Sequence, residues 1–217
     1  MKQAPKSQAE PSRTCPLCTR LVAYRQENAE AEPTWFNGPA PSFGDADARL
    51  LVVGLAPGRR GANRTGRPFT GDYAGDLLYA TLGKYGFATG AYRADPDDGL
   101  TLTHAMITNA VRCAPPENKP TPEEIRTCRP FLAARIAALP NLRVIFALGS
   151  IAHESVLRAH DLKPSHAKFA HAAEAPLPNG RTLVSSYHCS RYNTQTRRLT
   201  TEMFETVFAR AAELARG

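Results

Sequence analysis

The chain has 217 residues, 42% of them hydrophobic, enough for one α/β domain with a sizeable core. No stretch approaches the ~20 apolar residues of a membrane span, and the opening MKQAPKSQAEPSRT lacks the apolar region of a signal peptide, so membrane and secreted classes are set aside and a cytoplasmic, nucleoid-associated protein is expected. Lys and Arg number 27 against 20 Asp and Glu; the net charge of +7 favours a polyanionic partner, nucleic acid before membrane surface, because no basic amphipathic helix stands out.

Residues 1–13 read as a disordered tail and 14–217 as one domain. Cys15-Pro16-Leu17-Cys18 is a C-x2-C pair, and Cys113 and Cys128 follow much later. In a reducing compartment this set is compatible with a metal or iron–sulfur site, and spacing alone does not separate the two. Cys189 has no partner in the pattern and reads as a small packed residue. Thr19 to Glu32 predicts a short helix. Pro33 to Asp45, with Trp35, Phe36 and Phe43, reads as a packed loop. Arg49 to Gly54 is the first core strand, its apolar run Leu50-Leu51-Val52-Val53 short enough to be buried.

The stretch Gly54 to Asp72, GLAPGRRGANRTGRPFTGD, organises the rest. It has four further glycines after Gly54 and four arginines, Arg59, Arg60, Arg64 and Arg67, against one acid, Asp72. A loop at the carboxyl end of a buried strand, leading into a helix, is where α/β folds place ligands, and this charge suggests an anion. Asp72 is placed to cap a helix from Tyr73 to about Tyr85. Phe87 to Leu102 is a turn-rich excursion. Ala105 to Val111 holds the second strand, ending near Asn109. Proline stiffens Ala114 to Pro120, and Thr121-Pro122-Glu123-Glu124 is a capping-box helix start, with Pro130 as a kink candidate. Arg143 to Gly149 is the third strand. Ser150 is expected to cap a helix to about His160, Asp161 to Arg181 shows no period and reads as loop, and Thr182 to Tyr187 is the fourth strand. A polar segment, His188 to Arg198, precedes a helix opened by Thr200. Strands alternating with helices imply a parallel sheet covered on both faces, with the loops after Val53, around Asn109 and from His188 free to meet at one edge.

Three segments, GLAPGRRGANRTGRPFTGD, ITNAVRCAPPENKPTPEE and SYHCSRYNTQTRRLT, together with the four cysteines, resemble the uracil-DNA glycosylase superfamily, family 5, the type-b enzymes. The match runs from about Cys15 to the last helix. The resemblance implies a single three-layer α/β/α domain with a central four-stranded parallel sheet. It implies a 4Fe–4S cluster on Cys15, Cys18, Cys113 and Cys128. It implies a glycosylase that acts on double-stranded DNA in base excision repair, expected to be monofunctional because the matched motifs place no lysine as a nucleophile, and a monomer because nothing in the sequence suggests more. That enzyme excises uracil and other deaminated bases, hypoxanthine and xanthine among them, and leaves an abasic site.

Residue roles follow. A flipped base needs a stacking surface, for which Phe69 is the candidate, against the alternative of a core phenylalanine. The Asn109 amide both donates and accepts, as reading a uracil edge requires. Glycosidic cleavage leaves negative charge on the base, and His188 is placed to stabilise it. The second position of the first motif, a carboxylate in type-a enzymes, is Leu55 here, so Asp72 is the candidate to orient water or the sugar cation, beside its capping role. The backbone of Gly54, Ala56, Pro57 and Gly58 is assigned to base or water. Arg59, Arg60, Arg64, Arg67, Lys119, Arg191 and Arg197 are candidates for phosphates, and Arg191 with Tyr192 for insertion into the duplex gap, where apolar wedges are usual. No lysine is placed as a Schiff-base nucleophile. A non-catalytic iron–sulfur or zinc DNA-binding protein is the competing reading, and an iron–sulfur electron carrier a third.

Overall fold

The structure, a computed structural model, describes residues 9–217. Of the tail expected to be disordered, 1–8 lie outside the described residues, whereas 9–13 have specific partners. The Glu10 carboxylate receives Arg112 Nη1 at 2.8 Å and Arg135 Nη2 at 2.7 Å, and Arg112 also donates to the Ala9 carbonyl at 3.1 Å. Arg112 is 1% exposed, and a charge buried that deeply requires a partner.

The elements in chain order are α1 (Thr19–Ala31), β1 (Phe43–Gly44), β2 (Leu50–Gly54), α2 (Ala62–Thr65), α3 (Tyr73–Lys84), β3 (Ala88–Thr89), β4 (Thr101–Leu102) and β5 (Ala105–Asn109). They continue with α4 (Pro122–Ala137), β6 (Val144–Leu148), α5 (Ser150–Ala159), β7 (Glu174–Leu177), β8 (Arg181–Ser186), α6 (Arg191–Gln195) and α7 (Thr201–Arg216). β3 and β4 form a small hairpin in the turn-rich excursion. The main sheet runs β1-β5-β2-β6-β8-β7.

Its four central strands are parallel, as expected, but the sheet has six strands, because β1 and β7 add antiparallel edges. Neither edge carries a readable period. β1 is two residues long, and β7 contains Pro176, which a sheet tolerates at an edge. Two further expectations change. Gly149, with φ of 92°, is the residue before α5, so Ser150 is already helical and caps nothing. The polar segment after β8 contains α6, five residues capped by Ser190 and too short to show periodicity.

Alternation along the buried strands builds the layers. Leu50, Val52, Ile107 and Phe146 face α3 and α7 through Leu78, Leu82, Phe204 and Phe208. Leu51, Val53, Ile145 and Ala147 face α4 and α5 through Leu132, Ile136, Ala152 and Val156. A third cluster, of Leu21, Val111, Cys128 and Phe131, joins α1 to α4 beside Cys15, Cys18 and Cys113. Among the described residues no helix is long and apolar enough to cross a membrane.

Candidate active site

β2, β5 and β8 end at the same sheet edge, and register sets Gly54 beside Asn109. The three loops that leave them enclose a cleft of about 380 Å³. Leu55, Ala56, Pro57, Gly58, Phe69, Asp72, Asn109, His188 and Arg191 all line it. Gly54 lies behind the wall. A Cβ there would sit 2.5 Å from Asn109 Oδ1 and 2.6 Å from the tip of Phe69, so only glycine lets the two side chains approach this strand end.

Asp72 divides its carboxylate. Oδ1 accepts from the Gly75 amide at 3.2 Å and caps α3. Oδ2 points at the glycine turn, where a Cβ on Gly61 would come within 2.5 Å of it. Burial raises the Asp72 pKa above the usual carboxylate value, against the lowering effect of the Gly75 and Ala74 amides. Asn118, absent from the sequence-based candidates, enters from the proline-stiffened loop. Its Oδ1 lies 3.9 Å from the position of a Cβ on Gly58, and Asp72 Oδ2 lies 3.6 Å from that same point. Two polar oxygens therefore converge on the Gly58 turn at the wall of the cleft.

Phe69 is 6% exposed and stacks on His188, with ring centroids 5.9 Å apart and planes 27° from parallel. Its backbone has φ of 54°, a strained conformation for an aromatic residue. The surroundings impose it. Tyr92 Oη donates to the Phe69 carbonyl at 3.1 Å, and Tyr79 Oη donates to that of Pro68 at 2.7 Å. The two tyrosine rings stack with centroids 4.6 Å apart.

Arg67 holds this lock and is not a phosphate ligand, which corrects the sequence expectation. It is 4% exposed, gives both Nη groups to Asp98 at 2.8 Å, and donates Nε to Thr70 Oγ1 at 2.7 Å. Its hydrogen bonds, first among the causes, hold the Asp98 carboxyl far below the usual range.

Asn109 is 3% exposed, and its buried Oδ1 has no hydrogen-bond partner among the described residues. An orphaned acceptor beside a cleft invites a donor from a ligand. Burial lowers the His188 pKa to about 4, so its ring is neutral at physiological pH and one nitrogen carries a proton to donate. Of the expected phosphate contacts, Arg60, Arg64, Lys119, Arg191 and Arg197 are exposed. Arg59 is half-buried, donating to Asn28 Oδ1 at 2.5 Å with its guanidinium over Trp35. Tyr192, on α6, is 70% exposed. Tyr73 and Ser190 line the cleft as well. The sequence marked only their neighbours, Asp72 and Arg191.

Cys15, Cys18, Cys113 and Cys128 border one small cavity with Leu17, Leu21, Val111 and Phe131. Among the described residues no three His, Cys, Asp or Glu side chains are gathered as a single ion would need. A tetrahedral zinc would draw its sulfurs to about 3.8 Å from one another. Four thiols bordering one cavity are the donor type and number that an iron–sulfur group takes. Burial pushes the thiols of Cys18 and Cys128 up to about 12 and that of Cys113 to about 11, values that a bound cationic group would reverse. Donors stand ready for thiolates: the Arg112 amide is 3.4 Å from Cys128 Sγ, and Arg25 Nη1 is 3.7 Å from Cys113 Sγ.

Comparison with known proteins gives a consistent picture. The profile of the uracil DNA glycosylase superfamily matches residues 41–212. A type-5 uracil-DNA glycosylase of Thermus thermophilus is 50% identical over 207 residues, covering 93% of this chain and 94% of its own length. The protein of the same description from Mycobacterium bovis is 41% identical, covering 93% and 78%. That from Pyrobaculum aerophilum is 40% identical, covering 91% and 88%.

Proposed function

This chain belongs to the uracil DNA glycosylase superfamily, and we propose that it is a monofunctional uracil-DNA glycosylase. It hydrolyses the N-glycosidic bond of uracil, and of hypoxanthine and xanthine, in duplex DNA, and so opens base excision repair. The observation that carries this reading is the convergence of Asp72, Asn118, Phe69, Asn109 and His188 on one cleft at the ends of three parallel strands. Among the described residues no lysine lines the cleft, in keeping with hydrolysis without a Schiff base.

The target base leaves the duplex at a cost of a few kcal/mol and enters the cleft. Phe69 stacks on it, held ready by the Tyr79–Tyr92–Arg67 lock. Asn109 pairs with its polar edge. As the bond breaks, negative charge grows on the base, and the neutral His188 donates its proton-bearing nitrogen to the base oxygen. Asp72, ionised, lies on the side where positive charge grows on the sugar. With Asn118 it holds the attacking water in the space between them, which supplies the acid that Leu55 lacks. Exposed Arg60, Arg64, Lys119, Arg191 and Arg197, and the half-buried Arg59, take the phosphates. Tyr192 fills the gap in the stack. Cys15, Cys18, Cys113 and Cys128 would hold the 4Fe–4S cluster, whose bonds to the protein would tie the start of α1 to β5 and α4.

The test is release of base from duplex oligonucleotides carrying uracil, hypoxanthine or xanthine, read as strand breaks that need alkali. Breaks without alkali would replace the monofunctional reading with a lyase. Tight binding with every base left in place would replace it with a binding module.

A further inference from the structure

A second basic surface lies away from the cleft. Arg13, Trp35, Phe36, Arg64 and Arg93 line a shallow groove that also includes Thr65 and a single acid, Asp95. The three arginines are exposed. Arg13 stacks on Phe36 with its guanidinium 3.7 Å from the ring centroid, while its neighbour Trp35 carries the guanidinium of Arg59 at 5.2 Å. Arg13 Nη2 also donates to the Phe36 carbonyl, so stacking and this bond together fix the guanidinium and leave its Nε–H and Nη1 groups for phosphate oxygens. Arg93 is braced by the Asp98 carbonyl at 3.2 Å. The groove shares no lining residue with the cleft but is joined to it through the chain. α2 links them in one turn, from Gly61, against Asp72, to Arg64 and Thr65, and an Arg64 Nη lies against Gly71.

We propose that this groove tracks the phosphate backbone of DNA flanking the damaged nucleotide, so that the protein holds a longer duplex than the cleft alone requires. The inference rests on the glycosylase reading. Three cations against one acid give the surface its sign. The aromatics give it rigidity without base-specific hydrogen bonding, so the contact carries affinity and not sequence choice.

Trp35 is the chain's one tryptophan, which makes the groove directly observable. Acrylamide quenching of its fluorescence is to be measured with uracil duplexes of two lengths. One extends well past the lesion on both sides, and the other ends within a few base pairs of it. The long duplex should protect Trp35 and the short one should not. The triple variant Arg13→Gln, Arg64→Gln, Arg93→Gln should bind the long duplex with a salt slope smaller by about 2 to 3, since each lost phosphate contact removes about 0.9. The corresponding Lys variant should recover most of that slope. Should the triple variant fail a melting check, the three single variants are read instead, each expected to lose at most about 0.9. Equal protection by both duplexes, or equal salt slopes for wild type and the Gln variants, overturns the groove. Wild type that releases uracil under those conditions keeps the parent reading intact, whereas wild type that neither cleaves nor binds refutes both.

Discussion

Asp72 carries two tasks on one carboxylate, and substitution separates them. Asp72→Asn keeps an oxygen for the Gly75 amide and loses the charge that faces the glycine turn, so its melting temperature should stay close to wild type. Single-turnover uracil release should fall by about 10²- to 10⁴-fold, the range for a positioned base. A variant that retains wild-type rate would remove Asp72 from the chemistry. Because burial raises the Asp72 pKa, the acid limb of the wild-type rate profile should lie at a higher pH than an ordinary carboxylate gives.

His188 supplies the opposite case. Its folded pKa, about 4, is below the usual histidine value. The unfolded chain therefore binds the proton more readily, and its stabilising contribution is complete above about pH 6.5 and lost as pH falls toward 4. The difference in urea-unfolding stability between wild type and His188→Gln should shrink across that window, and a constant difference would show that burial does not depress the imidazole. Asp72 was legible from sequence because an acid stood immediately before a periodic run. Arg67 was misread because its partner, Asp98, is 31 residues away and the excursion between them has no period. Asn118 was missed because its role depends on a left-handed backbone, φ of 58°, at the end of a proline loop.

At the scale of elements, α4 does more than cover the sheet. Its capping box is complete, with Thr121 Oγ1 accepting from the Glu124 amide at 3.2 Å and Glu124 Oε2 accepting from that of Thr121 at 2.7 Å. The same Glu124 carboxylate receives Nε and Nη2 of Arg20, on α1, both at 2.8 Å. One cap thus joins the helix that carries Cys128 to the helix that follows Cys18. Thr121→Ala should cost about 1 kcal/mol of stability, seen as a lower melting temperature, and should also loosen the cysteine cavity. Iron and sulfide analysis of the protein as purified should give about four of each per chain for the cluster. Cys128→Ser should lose both and melt earlier than the Thr121→Ala protein. Zinc in place of iron would overturn the cluster. The capping box was readable because all its parts lie within four residues. The added edge strands were not, since a two-residue strand and a strand with a central proline leave no pattern to read.

On the scale of the whole molecule, charge and rigidity are separated in space. Among the arginines, exposed Arg13, Arg64, Arg93 and Arg191 line the groove and the cleft, whereas Arg67 and Arg112 are buried and lock backbone. The parallel core and the meeting of three loops were legible because alternating strands and helices force loop ends to one edge of the sheet. Which arginines faced outward was not, because partner acids come from distant segments. The two kinds should respond oppositely to removal. Loss of exposed Arg191 should leave melting unchanged and weaken DNA binding, with a salt slope about 0.9 smaller. Arg67→Ala should instead cost about 3–5 kcal/mol, because Asp98 is left buried and unpaired. Phe69, released from its strained backbone, should then lose its stacking position. Base release per bound duplex should fall in the protein that stays folded, while the salt slope of binding remains that of wild type. A reduced slope in Arg67→Ala would return that residue to the phosphate-binding set and undo the assignment of the lock.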